Sequence, residues 1–213
     1  MNRAPDLSVY LVTDRALCPG RDLERVVAEA VAGGVTVVQL REKLCDGREF
    51  VETGRALKRL LSPAGVPLII NDRVDVALAV GADGVHVGQS DLHVSDVRGL
   101  IGPEMILGLS VESEEQAREA DALPVDYYGV GPIHATSTKL DAGAPLGLEG
   151  LSRICGLTSR PVVAIGGLDA SNAGAAVKAG AKGVSVVSAI CAAGSPREMT
   201  GAIRRAVELA RGL

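Results

Sequence analysis

Charged and amide side chains follow several short apolar segments of this chain, and the first of them suit phosphate binding. Arg41 and Lys43 flank Glu42 at the end of one such segment. An extended backbone would send both cations to the same side. A guanidinium fork and an ammonium group both bind phosphate oxygens well. The pair therefore predicts a diphosphate site, and the alternative is a pair of solvated surface charges.

Two aspartates that follow later apolar segments indicate a metal site. Asp72 and Asp91 each come directly after a short β-branched run or its turn. Magnesium takes about six oxygen ligands, commonly one or two carboxylates with phosphate oxygens and water. If the two runs form neighbouring strands, both carboxylates can face one Mg²⁺ ion. The alternatives are an N-cap of the helix Val74–Val80 for Asp72 and a turn role for Asp91.

Glycine-rich segments near the C-terminus favour a second phosphate site. Gly166-Gly167 and Val187-Ser188 each end an apolar run, and exposed backbone amides at such places bind anions. A tight turn is the alternative for the two glycines, and one turn can serve both purposes. The stretch Gly131 to Gly147 is rich in glycine and proline, so we expect a long loop there that acts as a lid.

The elements that position these residues alternate along the whole chain between short β-branched runs and longer segments of helical period. The 213 residues divide into units of about 27 residues, close to the units of a typical barrel of roughly 250 residues. We therefore predict a single-domain α/β protein, a (β/α)8 TIM barrel spanning residues 1–213. The alternative is a doubly wound open sheet, although GxGxxG and GxxxxGK[ST] motifs are absent. The eight predicted strands are Ser8 to Asp14, Val35 to Leu40, Leu68 to Ile70, Gly84 to Val87, Met105 to Leu109, Asp126 to Val130, Val162 to Ile165 and Gly183 to Val187.

Barrel geometry would bring the polar residues together. Barrel active sites lie at the carboxyl ends of the strands, so all of the segments above should converge on one mouth. His86 lies within the fourth strand, where it is either a satisfied core histidine or part of the site. His93 should be exposed.

Composition narrows the class of partner. Hydrophobic residues make up 47% of the chain, the net charge is −4 and aromatic residues are 2%, so neither a basic stripe nor a stacking platform for nucleic acid is present. No segment has the roughly 18 apolar residues that a membrane span needs, and we expect a cytoplasmic protein with small-molecule substrates. The four cysteines form no CxxC pair, and we interpret Cys18, Cys45, Cys155 and Cys191 as buried thiols.

Six ordered segments resemble the thiamine phosphate synthase family. They are QLREK, IINDRVDVALAVGADGVHVGQSDL, GLS, TSTK, AIGGL and VVSAI, and they lie between Tyr10 and Ile190. The resemblance implies a transferase of thiamine biosynthesis. Such an enzyme joins a hydroxymethylpyrimidine diphosphate to a thiazole phosphate and releases pyrophosphate with the help of Mg²⁺.

The resemblance also implies roles for individual residues. Arg41, Ser110 and Lys139 would be catalytic, and Asp72 and Asp91 would hold the metal. His134-Ala135 departs from the family, which often has an aromatic residue and then proline there. The implied residues around the pyrimidine diphosphate are Gln39, Arg41, Lys43, Asn71, Ser110 and Lys139, with Leu40 and Glu42 in the same strand-two segment. Those implied around the thiazole phosphate are Thr136, Ser137, Thr138, Gly167, Val187 and Ser188.

Two other functions remain open at this point. Thiazole tautomerases resemble these synthases, and a barrel can also be a ligand-binding protein without activity. Asp72, Asp91 and Lys139 favour the synthase, because an isomerase expels no diphosphate. The sequence leaves open whether the chain forms a homo-oligomer.

Overall fold

Eight parallel strands close into one barrel in a computed structural model that describes residues 5–18, 20–136, 138 and 143–213. Each strand pairs with the next along the chain, and the last pairs with the first, where Tyr10 lies opposite Ser185. The predicted barrel is confirmed, and the closing pair excludes an open sheet. The strands are β1 (Val9–Val12), β2 (Val37–Leu40), β3 (Leu68–Asn71), β4 (Gly84–Val87), β5 (Ile106–Val111), β6 (Tyr127–Val130), β7 (Val162–Ile165) and β8 (Gly183–Val186).

Amphipathic helices pack around the barrel. In the first of them Leu23, Val26, Val27 and Ala30 are buried at helical spacing, and Asp22 caps the N-terminus by accepting from the Glu24 amide. The apolar stripe of each helix thus covers the outer face of the strands. The helices are α1 (Leu23–Gly33), α2 (Gly47–Leu61), α3 (Val74–Val80), α4 (Val94–Ile101), α5 (Glu114–Ala120), α6 (Gly147–Leu157), α7 (Ala173–Lys178), α8 (Ser188–Cys191) and α9 (Pro196–Ala210), with short 3-10 turns at Arg15–Leu17 and Ser62–Ala64.

The strands separate two apolar cores. Side chains alternate between the faces of a strand, so in β2 Val37 lies in the cluster inside the barrel, whereas Val38 and Leu40 lie in the larger cluster between the sheet and the helices. The inner cluster is small and includes Tyr10 and Tyr127. Polar residues at the inward positions near the carboxyl ends of the strands therefore face one another across the barrel.

The structure corrects several details. Strand β5 continues to Val111, so Ser110 lies within a strand rather than in the following loop. Cys18 and Cys191 are buried as predicted, but Cys45 and Cys155 are only partly buried, because Cys45 lies in the loop before α2 and Cys155 lies near the end of α6. No helix in the described ranges is both long and apolar enough to cross a membrane.

Candidate active site

A cavity of about 740 Å³ opens at the carboxyl ends of the strands. It collects most of the predicted site residues from the ends of strands β2 to β8, as barrel geometry requires. The predicted residues that line it are Gln39, Arg41, Lys43, Asn71, Asp72, Asp91, Ser110, Thr136, Thr138, Gly167, Val187 and Ser188.

Two of the remaining predicted residues face away from the cavity. Leu40 is fully buried in the outer core, and Glu42 is held by Arg15, whose Nη2 lies 2.9 Å from Glu42 Oε1. The side chains of Leu40 and Glu42 therefore do not line the cavity, since side chains alternate in direction along an extended segment, and their contact with the substrate stays a prediction. The other two, Ser137 and Lys139, lie outside the residues that the structure describes.

Two carboxylates and an ammonium group meet between the ends of β3 and β4. Lys43 Nζ lies 3.0 Å from Asp72 Oδ2. Asp91 Oδ2 accepts from the Gly88 amide at 2.7 Å. Partial burial first, and then the neighbouring Asp72 carboxylate, raise the pKa of Asp91. A carboxylate whose ionised form is disfavoured by a neighbouring carboxylate attracts a cation.

The backbone at Asp72 is unusual. Its φ of 61° is the one positive value of a non-glycine residue in the described part of the chain, and such a conformation is uncommon outside glycine, asparagine and aspartate. The N-cap of α3 is Arg73, without a side-chain cap bond. The alternative interpretation of Asp72 as a helix cap is therefore wrong, and its carboxylate is directed to Lys43 instead. Asp91 does have the alternative role in a turn, because its side chain accepts from the Gly88 amide. It also belongs to the carboxylate pair.

Arg41 lines the cavity one strand away. Its Nη1 lies 3.3 Å from Asp14 Oδ2, and its backbone amide donates to Thr13 Oγ1. Arg41 and Lys43 both line the cavity, and each already has an acidic partner. These ion pairs hold Arg41 toward the residues that follow β1 and Lys43 toward the residues that follow β3.

A continuous hydrogen-bonded chain crosses the barrel beneath the cavity. Gln39 Nε2 donates to Tyr10 Oη at 2.8 Å, and Tyr10 Oη lies 2.7 Å from Tyr127 Oη. His86 Nδ1 lies 2.9 Å from Tyr127 Oη, and His86 Nε2 lies 2.9 Å from Ser110 Oγ. His86 is thus a satisfied buried histidine and also a residue of the cavity wall.

The loop after β7 supplies the glycine-rich side of the cavity. Gly167 has a φ of 63°, and a Cβ there would lie 2.7 Å from His134 Cβ and 2.9 Å from the Ala135 carbonyl oxygen. Only glycine therefore fits both the backbone conformation and the close approach of the neighbouring loop. Asn172 braces the turn by donating from Nδ2 to the Gly167 carbonyl oxygen at 2.9 Å.

The start of the loop after β6 is attached to the barrel. The Ile133 and His134 amides donate to the carbonyl oxygens of Ile165 and Gly166, and Ile133 is fully buried. Backbone hydrogen bonds thus hold this part of the loop, although His134-Ala135 differs from the residues that the family often has there. His93 is exposed, as predicted, and its Nδ1 accepts from the Ser95 amide at the start of α4.

Sequence reasoning missed part of the cavity wall. Tyr10, Glu112, Asp169 and Ser185 also line it. Ser185 is 3% exposed, and its Oγ is buried without a hydrogen-bond partner among the described residues. The signal that could have found Tyr10 and Ser185 is their position inside apolar strands, where a polar side chain is unusual.

A closed barrel whose strand ends gather cations, amides, a carboxylate pair and a glycine-rich turn is typical of barrel enzymes that act on phosphorylated small molecules. The model of the family described as thiamine monophosphate synthase matches residues 9–190. The chain belongs to this family of transferases. The sequence is 57% identical to the thiamine-phosphate synthase of Solidesulfovibrio magneticus, over 97% of this chain and 98% of that protein.

Two further relatives match this chain over nearly its whole length, one in sequence and one also in structure. The thiamine-phosphate synthase of Azorhizobium caulinodans is 52% identical, over 97% of each chain. The solved structure of thiamine phosphate pyrophosphorylase from Pyrococcus furiosus superposes with a TM-score of 0.89 at 38% identity, over 97% of this chain and 98% of that one. The barrel and the family are therefore shown over nearly the whole chain.

Proposed function

We propose that this enzyme condenses a hydroxymethylpyrimidine diphosphate with a thiazole phosphate, forms thiamine phosphate and releases pyrophosphate in a Mg²⁺-assisted reaction. The family and the curated relatives support thiamine phosphate synthesis. The observation that carries the assignment of the site is the grouping of Arg41, Lys43 and the Asp72–Asp91 pair in one cavity. This grouping suits a diphosphate and the metal ion that accompanies it.

The donor set fits magnesium. Asp72 and Asp91 supply two carboxylates, and the described residues hold no cluster of three or more metal-binding side chains. Magnesium commonly binds through one or two carboxylates and completes its shell with substrate phosphates and water. The ammonium group of Lys43, 3.0 Å from Asp72, indicates that the pair attracts a cation. Asp72 and Asp91 would hold the ion, which when bound supplies positive charge to the departing diphosphate.

The proposed reaction requires little acid–base chemistry from the protein. The thiazole nitrogen carries no proton, so its lone pair can form the new carbon–nitrogen bond directly. The bond between the pyrimidine methylene carbon and the diphosphate oxygen breaks, and its electron pair leaves with the pyrophosphate. An aminopyrimidine can donate electron density to that carbon, which favours bond breaking before bond making. The protein then acts mainly by positioning and by electrostatic stabilisation.

Named side chains have distinct parts in this scheme. Arg41 and Lys43 would bind the diphosphate, and Ser110 would donate one hydrogen bond to it. Gln39 and Asn71 carry the amide donors and acceptors that a pyrimidine ring requires. Lys139, which lies outside the described residues, is implied by the family pattern as a further cation for the leaving group.

The thiazole phosphate would bind on the opposite side of the cavity. Gly167, Val187 and Ser188 line that side, together with Thr136 and Thr138. The turn at Gly166-Gly167 and the start of α8 present backbone amides, which bind phosphate oxygens well. Two anionic groups would thus be held at separate places, with the reacting atoms between them.

The assay that tests the proposal is pyrophosphate release from the purified enzyme supplied with both substrates and Mg²⁺. We expect one pyrophosphate for each thiamine phosphate formed, and no release when the thiazole phosphate is replaced by inorganic phosphate. Formation of an isomerised thiazole phosphate without pyrophosphate would overturn the synthase assignment in favour of an isomerase. Binding of both substrates without any product would indicate a ligand-binding protein.

A further inference from the structure

The buried chain of hydrogen bonds beneath the cavity has a direction that follows from counting hydrogens. Gln39 Nε2 can donate but cannot accept, so Tyr10 Oη accepts at that contact, 2.8 Å long. Tyr10 and Tyr127 are 1% or less exposed. Burial raises the pKa of both phenols, so each hydroxyl keeps its single hydrogen.

The hydrogen of Tyr10 has one described acceptor. This acceptor is Tyr127 Oη, which lies 2.7 Å from Tyr10 Oη. Tyr127 therefore accepts from Tyr10, and its own hydroxyl hydrogen is left to donate. The remaining neighbour of Tyr127 Oη in the chain is His86 Nδ1 at 2.9 Å. His86 Nδ1 therefore accepts, and a neutral imidazole whose Nδ1 accepts carries its hydrogen on Nε2.

The direction continues to Ser110. His86 Nε2 lies 2.9 Å from Ser110 Oγ, and with the hydrogen on Nε2 the serine oxygen is the acceptor. The serine hydrogen is then directed away from His86, and Ser110 lines the cavity. A hydroxyl that accepts from a polarised donor is also a better donor, because hydrogen bonds in a chain strengthen one another.

The barrel makes room for this chain at two glycines. A Cβ at Gly108 would collide with the imidazole of His86 and with the phenol of Tyr127, and a Cβ at Gly129 would lie 3.1 Å from His86 Cε1. Both glycines belong to strands, β5 and β6, where glycine is unfavourable for the strand itself. Their presence at this layer is explained by the close packing of the imidazole and the phenol.

We propose that Gln39, Tyr10, Tyr127 and His86 form a directed hydrogen-bond relay that fixes His86 as the Nε2–H tautomer and so makes Ser110 a donor toward the ligand in the cavity. In this assignment His86 and Tyr127 are positioning residues that act through Ser110. The role of Ser110 toward a diphosphate rests on the proposed function, whereas the tautomer of His86 does not. The reverse direction would need the Gln39 amide oxygen, rather than its nitrogen, to face Tyr10.

Nuclear magnetic resonance of the full-length enzyme labelled with ¹⁵N-histidine tests the tautomer directly. The chain has 3 histidines, and His93→Gln and His134→Gln variants assign the ring signals by elimination. In the proposed tautomer the protonated ring nitrogen of His86 couples to both ring-carbon protons, and the unprotonated nitrogen couples strongly to one. The opposite pattern would show the reversed chain, and signals averaged between the two tautomers would show that the relay does not fix the ring. Either result overturns the proposal.

Tyr127→Phe tests the relay in the enzyme, with Tyr128→Phe as the matched control. Tyr128 is the neighbour of Tyr127 in β6, is equally buried, and donates from its hydroxyl to the Ala120 carbonyl oxygen at 2.6 Å outside the barrel. Each variant loses one buried hydroxyl, together with two hydrogen bonds in Tyr127→Phe and the bond to the Ala120 carbonyl oxygen in Tyr128→Phe. We expect a change of the His86 coupling pattern and a fall of kcat of about tenfold with little change of KM for Tyr127→Phe, and neither effect for Tyr128→Phe. Equal kinetic effects of the two variants would indicate a merely structural role.

A double-mutant cycle with Ser110→Ala separates the relay from general destabilisation. Loss of one well-placed donor typically costs about 10²-fold in turnover. If Tyr127 acts through Ser110, Tyr127→Phe should add little to the loss in the Ser110→Ala background. Fully additive losses would overturn the coupling. If the wild-type enzyme releases no pyrophosphate, the proposed function fails, while the NMR result still decides the direction of the relay.

Discussion

Lys43 Nζ lies 3.0 Å from Oδ2 of Asp72, so the ammonium group of one strand end sits against a carboxylate of the next. Asp91 adds a second carboxylate to this group and has a raised pKa because of partial burial and of Asp72. The lysine thus neutralises part of the negative charge of the pair. If Asp72 and Asp91 hold Mg²⁺, as proposed above, the charge of the ion would replace this neutralisation and leave the ammonium group of Lys43 available to the diphosphate.

Removing either carboxylate should weaken the response to magnesium. We expect Asp72→Asn and Asp91→Asn each to raise the Mg²⁺ concentration for half-maximal rate by at least about tenfold, because one carboxylate alone holds the ion weakly. The measurement is a magnesium titration of pyrophosphate release. Asp75→Asn is the control, since Asp75 pairs with Arg73 at 2.6 Å and does not line the cavity. Unchanged titrations in both site variants would refute a shared metal site.

The raised pKa of Asp91 predicts a stability effect of definite sign. Below the ordinary pKa the carboxyl is protonated in the folded and the unfolded chain and contributes no difference. As pH rises from the ordinary pKa to the raised pKa of the folded state, the unfolded chain loses its proton first, so stability falls across this interval and stays lower above it. Asp91→Asn should therefore be more stable than the wild type at neutral pH without metal. The gain should be less than about 1 kcal/mol, because the side chain is only partly buried and solvent screens the interaction.

Denaturant unfolding in the presence of a chelator, at neutral and at acidic pH, measures this effect. The difference between Asp91→Asn and the wild type should disappear in acid, where the wild-type carboxyl is protonated as well. The hydrogen bond from the Gly88 amide, 2.7 Å long, can be kept by the asparagine oxygen. A variant that is less stable than the wild type at neutral pH would contradict the prediction.

Gly167→Ala should damage the thiazole phosphate side of the cavity. The new Cβ would press on the backbone at Ala135 and on His134, and backbone atoms cannot move aside cheaply. We expect the KM for the thiazole phosphate to rise by about tenfold or more, because the turn and the loop after β6 would separate. Steady-state kinetics with varied thiazole phosphate is the measurement.

Gly65→Ala is the matched control for Gly167→Ala. Gly65 has a φ of 67°, close to that of Gly167, but no atom lies within 4 Å of the position that its new Cβ would take. The substitution should cost about 1 kcal/mol of stability through the left-handed backbone alone and leave the KM unchanged. Similar kinetics of the two alanine variants would show that the close approach of His134 and Ala135 is unimportant.

Ser185→Ala should affect ligand binding more than folding. Because Ser185 Oγ has no hydrogen-bond partner among the described residues, its loss should leave the free energy of unfolding unchanged or raise it by up to about 1 kcal/mol. If a substrate supplies the missing partner, the KM for one of the two substrates should rise. Thr200→Val is the control, since Thr200 Oγ1 donates to the Pro196 carbonyl oxygen at 2.7 Å and that variant should lose about 1 kcal/mol. A clear loss of stability in Ser185→Ala would show that the hydroxyl is paired in solution.

The order of the elements could be predicted because each strand and helix carries its own local signal. The β-branched run Val162–Ile165 is typical of a buried parallel strand. The spacing of Val26, Val27 and Ala30 is typical of an amphipathic helix. Once eight such units are recognised, the carboxyl ends of parallel strands must meet at one edge. The shared position of Asp72 and Asp91 follows from that rule.

Contacts across the barrel could not be predicted from the sequence, because they depend on register and on the direction of individual side chains. Tyr10 and Tyr127 are 117 positions apart along the chain, yet their hydroxyl groups lie 2.7 Å from each other. Nothing local in the segments around them indicates this pairing.

The sequence by itself thus determined the barrel, the family and the residues that can carry charge at its mouth. The tertiary structure decided which of them face one another: Glu42 turns outward to Arg15, whereas His86 turns inward to Tyr127 and Ser110. The physical reason is that propensity and hydrophobic period act over a few neighbouring residues, whereas closure of the barrel sets the relative positions of all eight strands at once.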